Sequence, residues 1–327
     1  MPKTLKEAIE FYSNEQTCID TVAMLRWPEG KPVCPKCGAV EQERKHYWLD
    51  SQKRWKCYAC RKQFSVKVNS VFEDSPLPLS KWLMSMWMLV NCKNGVSSHE
   101  IARAIGISQK AAWHLLHRIR HVLGTTPETM MGGPGCVVSC DETYVGGLVK
   151  FMHRSAVRKR FLGMPTSGNS PIHKTPVFGM HDRETRQVRA TVVPNVNRET
   201  LQNAILENVH KKTTVHTDQW RGYETLAAKD FIHETVNHMQ EFVRGQVHTQ
   251  AMENFWSLLK RGLKGTYVAV EPYHLDRYVQ EQVFRFNNRA TKENPLTDAD
   301  RFTLALSQVA GKRLQFKELT GKVSGSC

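Results

Sequence analysis

No stretch of this 327-residue chain stays apolar for long: the longest run, Trp82 to Val90, falls far short of a membrane span, which takes roughly 18 residues. A charged, apolar and small-residue succession is missing from the amino terminus, so no secretory signal is expected. Internal repeats and long low-complexity tracts are also lacking, which excludes a repeat array. Nor do Ser or Tyr residues form a convincing nucleophile constellation, so a covalent protein intermediate is not called for. Acidic residues are in deficit, 31 against 46 Lys and Arg, for a formal net charge of +15. That excess attracts polyanions and favours nucleic acid over an acidic small molecule. Cysteine, by contrast, is plentiful but odd in number: of nine, four fall into two CxxC pairs. They read as metal ligands in a reducing compartment, not as a disulfide framework.

With 40% hydrophobic and 9% aromatic residues the chain can bury sizeable cores, and its length suits two or three compact units. Composition shifts divide it into four segments. Residues 1–70 are expected to hold an amphipathic helix (Leu5, Ala8, Ile9, Phe11, Tyr12) and then a small metal module running to about Ser70, with EDSPLPLS a proline-punctuated boundary behind it. Residues 71–125 are expected to be helical from Lys81 to Leu123 with one break at Gly106 to Ser108. After the linker TTPETMMGGPG the periodicity changes, and residues 133–290 alternate strands (GCVVSCDETYVGG, PVFGMHDRETRQVRATVVP, TTVHTDQW) with helices (NRETLQNAILENVH, AMENFWSLLKRGL). The fold class expected is α/β, a mixed sheet flanked by helices. Residues 291–327 are expected to form a C-terminal helix and tail, the last dozen loosely ordered.

Cys34 and Cys37 form one CxxC unit and Cys57 and Cys60 the other, with nineteen residues between the pairs. Such spacing suits two knuckles closing one tetrahedral site for a structural Zn²⁺, with no open coordination position. Gly38 can supply the positive φ that brings backbone amides toward the thiolates. Around the cysteines, Lys36, Lys53, Arg54, Lys56, Arg61, Lys62 and Lys67 interleave with Trp55, Tyr58 and Phe64. The mixture suits a duplex contact and equally a charged face around core aromatics.

Ser97 to Glu100 reads as a capping box, and the turn Gly106-Ile107-Ser108 separates two apolar-faced helices in the manner of a helix-turn-helix. In the second helix Ala112, Leu115, Leu116 and Ile119 should face inward. Lys110, His114, His117, Arg118 and Arg120 are then candidates for reaching phosphates or bases, with Lys110 and Arg118 the principal ones for DNA binding, and plain helical packing is the alternative reading.

Three acids could converge in the second half. Asp141 follows the apolar strand CVVSC, Asp218 ends TTVHTD, and Glu253 opens a helix thirty-five residues later. Strand ends and a first helical turn are places from which carboxylates can share hard cations such as Mg²⁺. Alternation is expected to turn Glu142 to the opposite face of its strand. Lys260 lies seven residues beyond Glu253, two turns along the same helical face. His216 and His248 are either ligands or ordinary packed polar groups. Between the first two strands, Lys150, His153, Arg154, Arg158, Lys159 and Arg160 make a basic segment suited to a DNA backbone, or else a disordered basic loop with no partner.

The succession CPKCG, CYACRKQFSV, SCDETYVGG, TPVFGM, VHTDQWRGY, VHTQAMENFWSLLKRGLKGTY and HLDRYVQEQVFRFNNR resembles the zinc-ribbon DDE transposases of bacterial insertion sequences, the ISXO-like group, over about residues 20 to 290. The resemblance implies an RNase H-like catalytic domain in which Asp141 and Asp218 bind catalytic Mg²⁺ or Mn²⁺, Glu253 completes the triad, and Lys260, with Arg261 beside it, contacts the DNA end. It implies cleavage that frees a 3′-OH, joining of that end to target DNA, and as partners double-stranded DNA carrying terminal repeats and a homodimer or higher assembly. A cytoplasmic, nucleoid-associated location follows. Members often carry Asn near the position of Gln250, and some groups use another third ligand, so Glu253 or a neighbour fills that role. Two rival readings remain at this stage: a non-catalytic zinc-ribbon regulator and a metal-dependent nuclease without joining.

Overall fold

The computed structural model describes residues 2–41, 44–124, 129–146, 174–236 and 250–321. The chain forms two compact units: Met1–Thr125 with Asn288–Cys327, and Thr126–Asn287. Among the described residues no helix is long and apolar enough to cross a membrane.

In the first unit two short helices, α1 (Leu5–Phe11) and α2 (Glu15–Arg26), replace the one expected, because the Asn14 side chain caps a new start by accepting from Gln16 and Thr17. Three small antiparallel strands follow, β1 (Tyr47–Leu49), β2 (Arg54–Lys56) and β3 (Gln63–Phe64). Helix α3 (Leu79–Asn91) is buried along most of its length, with Trp82, Leu83, Met86 and Trp87 nearly inaccessible. Its first amides lack intrahelical partners, and the Glu15 carboxylate accepts from Leu79 and Ser80 at 2.8 and 3.1 Å.

Where one break was expected between Lys81 and Leu123, the structure has two. The additional one spans Cys92 to Ser97, where Gly95 takes a φ of +80° and Ser97 opens α4 (Ser98–Ile105) with the expected capping box. Gly106, at φ +62°, ends α4, and Ser108 caps α5 (Gln109–Leu123). The carboxyl-terminal residues return to this unit. Phe302 of α9 (Asp298–Ser307) lies between Tyr12 and Trp87, ring centroids 5.4 and 5.2 Å away. Of the last dozen residues, Phe316–Leu319 forms the short helix α10 with Leu319 buried, and residues 322–327 lie outside the described residues.

The second unit is built on a five-stranded sheet in the order β6-β5-β4-β7-β8. Its strands are β4 (Val137–Val145), β5 (Thr175–Asp182), β6 (Val188–Val192), β7 (Thr214–Asp218) and β8 (Ile232–Val236). The first three pair antiparallel, and β7 and β8 run parallel to β4. This is the mixed, RNase H-like sheet the resemblance implied. Side chains alternate across it as a pleat requires. Phe178 and Met180 pack with Leu201 and Ile205 of α6 (Arg198–Asn208), while Val177 joins Met252, Phe255 and Trp256 of α7 (Gln250–Gly262) and Val279 of α8 (Pro272–Asn287). Helices thus cover both faces.

Candidate functional site

The four knuckle thiols converge: the Sγ atoms of Cys34, Cys37, Cys57 and Cys60 lie within 4.8 Å of one another. Cys34 to Cys60 is 3.8 Å and Cys37 to Cys57 is 3.7 Å. Tetrahedral Zn–S bonds of about 2.3 Å require sulfurs about 3.8 Å apart, so the donor set fits such an ion. Each knuckle ends in a left-handed residue, Gly38 at φ +74° and Arg61 at +62°. Their N–H groups donate to Cys34 and Cys57 carbonyls at 2.8 and 3.1 Å. Burial raises the Cys34 thiol to about 12. At Cys57 burial acts in the same direction but is outweighed by the amides of Cys60 and Ala59, which bring the thiol down to about 7. The interleaved aromatics are the ribbon's own core: Trp55 stacks on Phe64 at 5.8 Å, and Trp27 meets Trp55 edge-on at 5.3 Å. His46, which the sequence did not single out, is buried there, its Nδ1 accepting from Tyr58 N–H at 3.4 Å.

The acidic cluster is made by strand register. β4 and β7 pair in parallel through Val137 with Thr214, Val138 with Val215 and Ser139 with His216; two residues further along each strand stand Asp141 and Asp218. Asp218 closes β7, whereas Asp141 lies midway along β4, which runs on to Val145 instead of ending where the apolar run CVVSC does; the two acids stand level on adjacent parallel strands, just beyond the last residues those strands pair. A third acid shares the place. Oxygens of Asp141, Glu142 and Asp218 lie within 4.8 Å of one another. Alternation does put Glu142 on the face opposite Asp141, but its expected exclusion from the site is corrected. β7 pairs with β4 no further than Ser139, which leaves an open edge around which side chains from both faces reach the same gap.

Each strand acid is held. The Trp256 indole N–H donates to Asp141 Oδ2 at 2.9 Å, the Trp220 amide donates to Asp218 Oδ1 at 3.2 Å, and the buried Tyr223 hydroxyl donates to Glu142. Burial pushes the Asp141 carboxyl up from 3.8 to about 6, with repulsion from Asp218 and Glu253 adding to it and the Trp256 N–H opposing. Glu142 rises from 4.5 to about 7, again chiefly through burial, with Asp218 and Asp141 adding. A site that penalises its own negative charge in this way is suited to a cation.

Gly179 explains how α7 comes close enough to contribute. It is paired with Asp141 across β4 and β5, and a Cβ there would sit 2.4 Å from Met252 Cε and 2.7 Å from the Trp256 ring. The lone glycine in TPVFGM was the available signal for this approach. Glu253 is exposed on the first turn of α7 and outside the close cluster, yet near enough to raise Asp141. Lys260 is half-buried, its ammonium disfavoured by burial and supported by Asp141; Arg261 is exposed.

The helical candidates fare differently. Lys110 is exposed, its Nζ 5.2 Å from the Phe316 ring centre. Arg118 is buried: its guanidinium lies 5.0 Å from the Trp82 ring centre and donates to the Glu73 carbonyl at 2.6 Å. His117 and Arg120 are buried as well, and His114 packs on Phe316. The expectation of a solvent-facing polar stripe is corrected: Trp82 and the Glu73 carbonyl cover Arg118, Phe316 of α10 packs on His114, and Lys312 donates to the Val122 carbonyl near the end of α5. His216 is buried and sits 3.1 Å from Glu234, which is ordinary polar packing. Lys150, His153, Arg154, Arg158, Lys159, Arg160 and His248 lie outside the described residues.

Sheet order and the paired acids on its adjacent parallel strands β4 and β7 define the RNase H-like class. The ISXO2-like transposase domain matches residues 131–287 and the transposase zinc-ribbon domain residues 13–63. A transposase-like protein of Haemophilus influenzae is 34% identical over 106 residues, 32% of this chain and 85% of that protein. A protein in the transposable element ISH50 of Halobacterium salinarum is 28% identical over 258 residues, 78% of this chain and 85% of the relative. The chain therefore belongs to the ISXO2-like transposases with an amino-terminal zinc ribbon. It is a nucleic-acid-processing enzyme.

Proposed function

We propose that this transposase binds the ends of a mobile element, hydrolyses a phosphodiester there to free a 3′-OH, and joins that end to target DNA. The observation that carries the reading is the meeting of Asp141 and Asp218 within 4.8 Å, with Glu142 beside them, in the matched transposase domain. Asp141 and Asp218 would hold Mg²⁺ or Mn²⁺, and Glu253 would complete the set from α7. When bound, paired cations neutralise charge developing on phosphorus and activate the attacking oxygen. The protein's own part is positional. Trp256 fixes the Asp141 carboxylate, Tyr223 fixes Glu142, and Gly179 lets α7 set Glu253 and Lys260 beside the strands. Lys260 and Arg261 would hold a phosphate of the DNA end, and exposed Lys110 another phosphate of duplex DNA.

The four thiolates would hold a structural Zn²⁺, leaving no open position for chemistry. Because two ends must be joined, the working species would be a dimer or larger assembly on duplex DNA, in the bacterial nucleoid. The test is strand nicking and joining by Asp141→Asn and Asp218→Asn. Both activities should fall to background while end binding stays within about twofold; cleavage by either purified variant removes these residues from the mechanism. Incubating pre-cleaved ends with plasmid decides the joining step, since a nuclease yields no joined product.

A further inference from the structure

A cavity of about 530 Å³ opens beside the acidic cluster, at the end of β4, the start of β5 and the turn that follows α7. Its size falls in the range of small-ligand sites, about 300–1,000 Å³. Lys174, Lys260 and Lys264 line it, with Glu271 as the opposing acid. The three ammoniums make no ion pair among the described residues, and Lys264 and Lys174 both repel Lys260. Like charges gathered around a partly enclosed space are relieved by an anion. The remaining wall is different in kind: Leu263, Val270 and Leu275 are apolar and Tyr144 is aromatic. A bare inorganic anion has no use for such a wall. A ligand with one anionic group and one flat apolar body satisfies both halves.

Two further features tie the cavity to the site. Tyr144 is two residues beyond Glu142 on β4, and Lys260 is within electrostatic reach of Asp141. The rim is a π-helical turn, Leu263–Tyr267, followed by Val268 at φ +60° and 79% exposed. A β-branched residue in that conformation is strained, and such strain and π-turns gather at functional sites. The turn is braced from behind, where the Tyr267 hydroxyl and Arg285 both donate to buried Glu281.

We propose that this cavity binds a single unpaired nucleotide of the DNA strand at the reaction site, its phosphate among Lys174, Lys260 and Lys264 and its base against Tyr144, Val270 and Leu275. A base within a duplex cannot enter, because its faces are occupied by the stack and its removal costs a few kcal/mol. Unpaired ends escape that cost.

The experiment measures binding of the full chain, without divalent cation, to a blunt duplex and to duplexes with one unpaired 5′ or 3′ nucleotide. One overhang should bind at least about tenfold tighter than the blunt end, a difference of about 1.4 kcal/mol. An abasic overhang should lose most of that preference, and millimolar dAMP should displace the overhang probe where inorganic phosphate does not. Val270→Trp, which fills the cavity, and Lys264→Gln, at an exposed position less able to disturb folding, should each reduce the overhang-to-blunt ratio toward one. Equal binding of all duplexes overturns the proposal, as does a ratio unchanged in both variants or competition by phosphate as strong as by dAMP. The inference rests on the DNA-cutting reading, but the two fail separately. Nicking by the wild type with no overhang preference removes only the nucleotide site; overhang preference with no nicking in Mn²⁺ removes only the chemistry.

Discussion

The two ligand clusters of this protein are of similar size but are assembled in different ways. In the ribbon, each pair of thiols belongs to one tight turn whose own amides support it: Gly38 and Arg61 donate to the carbonyls of Cys34 and Cys57. In the sheet unit, Asp141 and Asp218 are brought level by parallel pairing, and Glu142 reaches them around an open strand edge. The first cluster is local geometry repeated twice, whereas the second exists only when the sheet does. Metal binding and folding should accordingly be inseparable in the ribbon and separable in the sheet.

The largest expected effect breaks the ribbon alone. Its three strands hold two to three residues each, too little to stand without a cross-link, and structural zinc supplies apparent binding energy of about 10–16 kcal/mol in small modules. Chelation or Cys57→Ser should therefore unfold residues 30–70, seen as collapsed amide chemical-shift dispersion, while the sheet unit keeps its spectrum. Persisting ribbon shifts after chelation contradict this.

The next effect breaks the sheet cluster through packing. Gly179→Ala forces a methyl into Met252 and Trp256, and overpacking of this kind costs about 1–3 kcal/mol. Denaturant titration should show that loss. Nicking should fall further than stability alone explains, because Trp256 no longer holds Asp141.

A pH experiment sharpens the comparison. Asp141 and Glu142 are raised in the folded protein to about 6 and about 7, so the native state holds protons more tightly than the unfolded chain. Their contribution to stability is fully present below their ordinary values, near pH 4, and is lost as pH rises through 6 and 7. Cations require the opposite, ionised form. Mn²⁺ should bind at pH 5 at least about tenfold more weakly than at pH 8, with proton release measurable by calorimetry in buffers of different ionisation enthalpy. Pairing that does not vary with pH would show that these carboxyls are not the ligands.

The smallest effect concerns backbone strain. Arg61 occupies the position that Gly38 fills in the other knuckle, and a left-handed conformation costs a non-glycine residue about 1–2 kcal/mol. Arg61→Gly should raise the thermal midpoint of the zinc-loaded protein slightly, by no more than about 1 kcal/mol of stability, since glycine also loses more entropy on folding. A lower midpoint would mean that the arginine side chain contributes more than its backbone costs.

What could be read before the fold was known divides along the same line. The CxxC spacing, the Ser97 capping box and the Gly106 stop depend on residues within a turn or two of one another, and each formed as its local chemistry dictates. The strand ending at Asp218 was equally legible, whereas the one that carries Asp141 runs on to Val145. The buried Arg118 was not legible, because what covers it, the Trp82 ring and the Glu73 carbonyl, comes from chain more than thirty residues earlier. Glu142 was misjudged because alternation describes a strand paired on both sides, and β4 loses its β7 neighbour after Ser139.

Sequence alone thus determined the ligand types, the places where chain direction changes and the excess of positive charge. Tertiary structure decided which acids meet, which basic residues are buried, and how closely α7 approaches the sheet over Gly179. The reason is physical: turns and caps are set by short-range sterics and hydrogen bonds, whereas an acid's neighbours and a lysine's exposure depend on surfaces contributed by distant parts of the chain.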